Sequence, residues 1–549
     1  MTKGKVEADA DAEAIFWEIN IDDASENLVM RHYVRLKILT ERGREKFSKV
    51  DIPYIRGIRI KDIEARVVRP DGSITELTKD NIFDREIVKS NDVKVKAKSF
   101  AVPNIEPGVI VEYRYTEVHK DEIRKWLLVY YSSRKYANST STDFWSRVGG
   151  RVAVAYDIKD TLKPGKKMRA AAEEIIGSAS TDEEKIKKLY DFCVRRVKNL
   201  SFSPEITETE LDEIKLNSSD DDTYKKLQGR SEEINKLFAS LADAAGFETR
   251  IAFTGDRSEL FFNPRKAHES FIHLAGVGVK MGPYWRYFDP GNPFVPYGAL
   301  NWYEENTSVF LLAYKDYITT TTPMLGYRDS KETRKGDFAL DAEGTLEGTV
   351  SVEYTGHLSY THKLKNYDVS ENQREEFLKE SIKSRMSTAE VSNISIENLN
   401  DPDRPMVYRY KIRIPNYAQK TGSRMFIQPG VFEYGSSARF SSDTRLYDVY
   451  FPFPWSEYDD ITIKLPEGFT IDGSDKPAPV ADKDGIGSLY INVGVDQATG
   501  SIKYTRDFFF GGGGNIIFPV ESYKPVKTMF DMFHKADTHT ITLKKIAAE

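Results

Sequence analysis

Three residues in the middle of this chain, Ser231, His273 and Asp289, are of the types that run acyl transfer: a nucleophile, a base and an acid that orients the base. Ser231 sits in Gly229-Arg230-Ser231-Glu232-Glu233, just ahead of an apolar stripe. His273 lies in Phe271-Ile272-His273-Leu274, and Asp289 closes Trp285-Arg286-Tyr287-Phe288-Asp289-Pro290. Each also has an ordinary structural reading. A serine followed by two glutamates is good helix-start chemistry, with the hydroxyl as N-cap and the acids complementing the helix dipole. A lone strand histidine is commonly just hydrogen-bonded. An aspartate before Pro-Gly starts a turn.

The elements around these residues decide whether they can meet. Ile234, Leu237, Phe238, Leu241 and Ala244–Ala245 form one face of a helix from about Ser231 to Ala245, and Gly246 is a C-terminal stop. Strands are expected at Thr249 to Thr254, Ser270 to Lys280 and Tyr284 to Phe288. Upstream, Thr181-Asp182-Glu183-Glu184 has capping-box spacing and opens a helix with Ile186, Leu189, Tyr190, Cys193, Val194 and Val197 on one side. The polar stretch from Glu205 to Lys226 reads as a surface loop. Helix followed by antiparallel sheet is an α+β arrangement over residues 165–330.

Both flanks read as β. In the N-terminal region, residues 8–160, His32, Val34, Leu36 and Ile38 alternate with Arg31, Tyr33, Arg35 and Lys37. Pro70-Asp71-Gly72 supplies hairpin turn chemistry. Residues 335–549 contain strand patterns at Thr345–Tyr354, Met406–Ile414, Tyr447–Phe451, Asp460–Leu465 and Gly487–Val493. One helix is expected there, Ser370 to Met386, with Ser370 and Gln373 as its capping box.

Composition excludes several function classes. Charged residues at 30% and hydrophobic residues at 40% suit folded domains rather than disorder. A net charge of -6 with dispersed Lys and Arg gives no case for nucleic acid. Cys193 is the single cysteine, so neither an intrachain disulfide nor a cysteine metal site is available, and its place on an apolar stripe makes it a core thiol. No apolar run reaches the roughly 20 residues of a transmembrane helix. His268 and His273 are five apart, as are His534 and His539, and on a strand that offset puts them on opposite faces, so no metal is expected. Gly511 to Gly514 lacks the Lys-Ser/Thr of a phosphate loop and reads as a β connection. No cofactor is implied. Glu233, Trp285 and Tyr287 are groove candidates.

The spacing of Gly229, Ser231, Glu233, Leu237-Phe238, Leu241 and Ala245-Gly246, followed by His273 and Asp289, resembles the transglutaminase-like, papain-type family. That family's motif is roughly Gly-x-Cys-x-Asp, then apolar positions, then Leu-x-x-Ala-Gly. The resemblance implies a nucleophile at the helix start, His273 as base and Asp289 as its orienter. Ser231 stands where the cysteine would be. Ala65-Arg66-Val67-Val68-Arg69-Pro70-Asp71-Gly72 and Ile105-Glu106-Pro107-Gly108-Val109-Ile110 resemble the DUF3857 domain that precedes such domains in bacteria. Leu465-Pro466-Glu467-Gly468-Phe469 resembles the β domain that often closes them. Such proteins are usually exported, which implies a periplasmic or secreted setting.

The expected architecture is thus an N-terminal β-sandwich-like domain, a central transglutaminase/papain-like α+β domain and a C-terminal β domain. The leading functional expectation is a pseudoenzyme that binds a peptide, protein or envelope glycan, more a binder than an enzyme. A Ser-His-Asp acyl transferase or hydrolase using Ser231 is the alternative, and a purely structural scaffold is the third class.

Overall fold

The computed structural model describes residues 10–22, 28–54, 58–78, 81–90, 93–119, 141–265, 271–314, 316–473, 476–496 and 498–546. They divide into two compact units: residues 1–133 with 207–209, and residues 134–206 with 210–549.

In the first unit the period-two pattern of Leu28–Ile38 does what alternation dictates. The strand pairs antiparallel with Ala12–Asp22 on one side and Ile110–His119 on the other. Ile58–Val68 and Ile74–Glu76 complete a five-stranded sheet, and Lys49–Tyr54, Val93–Ala101 and Ile82–Ser90 form a second sheet of three. Ile38, Ile52, Val67, Phe100, Val109 and Val111 fill the core shared by both sheets. The Pro70-Asp71-Gly72 turn is present, with Gly72 at φ 84 and Arg69 N donating to Ser73 O at 2.9 Å.

The second unit opens with a helix where strands were expected. Ser141–Ala155 is α-helical, and Trp145 packs on Phe310 with ring centroids 4.6 Å apart. Its Val and Gly content argues against a helix locally, but burial of Trp145 and Val148 overrides propensity. Helices Lys166–Ile176 and Asp182–Arg196 follow, the latter with the Thr181–Glu184 capping box in place. Within the stretch read as a loop, Glu208–Glu213 and Asp220–Lys226 are short helices, the second capped by Ser219.

Helix Ser231–Ala244 lies against an antiparallel sheet ordered Tyr284–Phe288, His273–Met281, Thr249–Thr254, Ser308–Leu312, Tyr317–Thr321. Leu237, Phe238 and Leu241 meet Ile251, Val277 and Phe288 in one core. Cys193 is fully buried in it, and burial pushes its thiol well up. The sheet therefore carries His273 at the start of one strand and Asp289 just past the end of its neighbour.

Residues 331–545 build an eight-stranded sheet around Met406–Ile414, Leu346–Tyr354, Lys331–Leu340, Trp455–Lys464 and Ser501–Phe510, with a second sheet of four. Lys331–Leu340 and Trp455–Lys464 are a parallel pair in an otherwise antiparallel arrangement. The capped helix Glu371–Lys383 matches its sequence signal. Gly356–Asn366 and Tyr523–Asp537 are two further helices that the strand-dominated reading missed. His534 lies on the second of these and His539 just beyond it, so the strand argument for that pair does not apply. His268 lies outside the described residues. Gly511 to Gly514 is a turn between strands, entered through Gly511 at φ 83.

The core of the central region gives the first prediction. Leu237 is completely buried between helix and sheet. Leu237→Ala should cost about 2–5 kcal/mol by denaturant unfolding, with no change in overall secondary structure.

Candidate functional site

The site is built where the helix Ser231–Ala244 begins. A two-residue parallel pairing of Lys198–Asn199 with Gln228–Gly229 delivers the chain to that point. Arg230, not Ser231, is the N-cap residue. Glu233 at the third helical position reaches back, its Oε2 accepting from Arg230 N at 2.7 Å. Ser231 is thus the first helical residue, and its N–H donates to Ser201 Oγ at 3.1 Å. Its own hydroxyl is buried and has no hydrogen-bond partner among the described residues.

One turn along the helix, Asn235 ties this start to the end of the sheet. Its Nδ2 donates to Asp289 Oδ1 and its Oδ1 accepts from Gly291 N, both at 2.9 Å. Asn199 Nδ2 donates to Gly291 O at 2.7 Å. Gly291 must be glycine for this approach, since a Cβ there would stand 2.4 Å from Ser231 O.

His273 has a different partner from the expected one. Its Nε2 donates to Oε1 of Glu304 at 2.9 Å. Glu304 ends the short 3-10 turn Trp302–Glu304 and is 3% exposed. Asn301 bridges the two acids: its Nδ2 donates to Glu304 Oε2 at 2.7 Å and to Asp289 Oδ2 at 3.5 Å. Asp289 therefore holds two asparagines, while Glu304 orients the imidazole. His273 Nδ1 makes no hydrogen bond among the described residues, and the side chain is 40% exposed.

Electrostatics follow from this packing. Burial raises the Asp289 carboxyl, the charge of Glu304 adds to that, and the asparagine hydrogen bonds only partly offset it, leaving a pKa of about 7. Burial also raises Glu304 despite the hydrogen bond from His273. Burial alone would lower His273, but the Glu304 hydrogen bond and charge outweigh it and the net direction is upward. Ser231, His273 and Asp289 all line one cleft of about 410 Å³, with Arg230, Asn235, Asn301, Tyr303 and Glu304.

The groove candidates fall elsewhere. Glu233 turns away from the cleft to Arg230 N and to Asn217 N. Trp285 and Tyr287 alternate with Phe288 along their strand, so they pack on the far face of the sheet with Ala252, Val309 and Leu311. Three residues of the site went unread in the sequence. Asn235 is a polar residue among the apolar positions of the helix, and Asn301-Trp302-Tyr303-Glu304 carries capping-box spacing. Those were the available signals; nothing in the sequence joins Glu304 to His273.

Comparison with known proteins matches the chain region by region. Residues 169–290 match the transglutaminase-like superfamily. The transglutaminase-like domain is flanked by matches to two domains of unknown function, DUF3857 over residues 24–163 and DUF3858 over residues 423–543. Among solved structures, a candidate protease from Parabacteroides distasonis is 10% identical, with 97% of this chain and 99% of that one covered and a TM-score of 0.38. A candidate cysteine protease from Cytophaga hutchinsonii is 15% identical, with 50% and 78% covered and a TM-score of 0.17. A search of the curated proteins finds no match.

The buried acid makes a pH prediction. A carboxyl raised on folding binds more protons in the native state than in the unfolded one, so its contribution to stability falls as pH rises from 3.8 to about 7. Unfolding measured across that range should show a smaller fall with pH in Asp289→Asn than in the natural chain, whatever the absolute stability of the variant.

Proposed function

We propose that the transglutaminase-like domain is a non-catalytic binding module, whose cleft takes a peptide segment or an envelope glycan without breaking a bond in it. The observation that carries this is the state of Ser231: a hydroxyl at the nucleophile position, buried, and hydrogen-bonded to no base among the described residues. A serine nucleophile needs a base aligned on its proton. The helix N-terminus cannot substitute for one. Its field is worth about 0.3–1 kcal/mol at a surface site, less than a tenfold change in ionisation. That modest help suits a thiol, which lies close to neutral pH already, and not a hydroxyl. Glu232 adds negative charge to the cleft lining and opposes an alkoxide further. What the cleft does offer a ligand is a pair of polar side chains, the part-exposed imidazole of His273 and Tyr303.

The competing reading is a Ser-His-Glu acyl transferase or hydrolase. One observation favours it: the His273–Glu304 pair leaves Nδ1 without a hydrogen bond among the described residues, as in a base waiting for a nucleophile. For either activity the proposed setting is the bacterial envelope, a reading that rests on the family resemblance alone.

A fluorophosphonate probe separates the two. Intact-mass spectrometry of the natural chain after incubation should show no adduct. A single adduct that disappears in Ser231→Ala would contradict the binding reading and establish an activated serine.

A further inference from the structure

A second histidine–carboxylate pair lies one residue further along the chain. Glu304 and Glu305 are adjacent, and their side chains run to different partners. Glu304 meets His273, whereas Glu305 Oε2 accepts from His357 Nε2 at 2.9 Å. His357 lies in the first turn of helix Gly356–Asn366, within the C-terminal β region, and both members of this pair are buried, His357 at 3% and Glu305 at 2% exposure. Glu305 Oε2 also accepts from Leu325 N at 3.0 Å. Its carbonyl accepts from Nε of the buried Arg257 at 2.6 Å, and Arg257 reaches on to Tyr450 Oη and Pro452 O.

Three residues along the same helix face is Tyr360. Its Oη accepts from Asn292 Nδ2 at 3.4 Å, and that amide also donates to Asn301 Oδ1 at 3.1 Å. Asn301 is the residue whose amide bridges Asp289 and Glu304. One helix of the C-terminal region therefore holds the Asn301–Glu305 turn at both ends, Glu305 directly and Asn301 through Asn292.

We propose that His357 and Tyr360 are positioning residues for the cleft. They fix the Asn301–Glu305 turn and so hold the Glu304 carboxylate on His273. The C-terminal β region is then part of the site and not a separate module. The physical reason is the steepness of the hydrogen bond with distance: a shift of about 1 Å takes a 2.9 Å bond outside bonding range. A contact that merely glued two regions together would affect stability and leave His273 unchanged. The inference rests on the reading of the cleft as the ligand site, but its test uses no ligand, so the two can fail separately.

The test is an NMR pH titration of the full chain carrying ¹³C-labelled histidine. Only 8 histidines contribute, and the His273 signal is identified by its loss in His273→Gln. The natural chain should titrate above 6.5 at His273, in line with its raised value. His357→Ala and Tyr360→Phe should each lower that midpoint by about 0.5, a roughly threefold loss of protonation preference. His357→Gln keeps an N–H donor for Glu305 and should restore much of it. A natural midpoint in folded His357→Ala and Tyr360→Phe would overturn the proposal. Should His357→Ala fail to fold, Tyr360→Phe, which removes a single hydroxyl, decides alone. A midpoint at or below 6.5 in the natural chain would overturn the Glu304 pairing itself and the proposal with it.

Discussion

The polar network at the centre of this protein depends on one part-buried hydrogen bond, from His273 Nε2 to Glu304. An isolated ionised carboxylate is costly to bury, and two beside one another cost more. Asp289 and Glu304 are both buried, and the structure meets the cost in three ways. The imidazole supplies a counter-charge to Glu304. Asn301 shares its amide between the two acids. Asp289 takes up a proton near neutrality, because burial and the neighbouring negative charge together lift it to about 7. Remove the imidazole, and the remaining pair has no cation in its hydrogen-bond network among the described residues.

That arrangement explains how the cleft keeps its shape. The polar groups behind the helix start are tied to each other, through Asn235 to Asp289 and Gly291, and through Asn301 to Glu304. Ser231 is outside this network except through its backbone N–H. The side chain at position 231 can therefore change with little effect on the groups around it. The polar lining of the cleft is held in place by this network whatever side chain stands at position 231.

How much of this was legible depended on how local each signal was. The Thr181–Glu184 and Ser370–Gln373 capping boxes, the apolar face of helix Ser231–Ala244 and the alternation of Leu28–Ile38 all lie within a few residues, and all appear in the structure. Ser231, His273 and Asp289 were found because the family spacing points to them, and the fold brings them to one cleft. Their pairing was not readable. The acid that holds His273 is 31 residues away, on a turn whose capping-box spacing advertises only a helix start. Helix Ser141–Ala155 was missed for a related reason: its valines and glycines favour other structure, and burial of Trp145 and Val148, with Trp145 packed on Phe262 and Phe310, makes a helix worthwhile. Trp285 and Tyr287 were chosen as aromatics near the site, but strand periodicity relative to Phe288 sends them to the far face.

The most direct test of this account asks which acid holds the imidazole. The His273 titration midpoint should be compared in Glu304→Gln and Asp289→Asn. Glu304→Gln should bring it down to about 6.5 or below, the range of a histidine without a carboxylate partner. Asp289→Asn should lower it less, because Asp289 acts on His273 through charge alone. A larger fall in Asp289→Asn than in Glu304→Gln would contradict the account and make Asp289 the orienting acid.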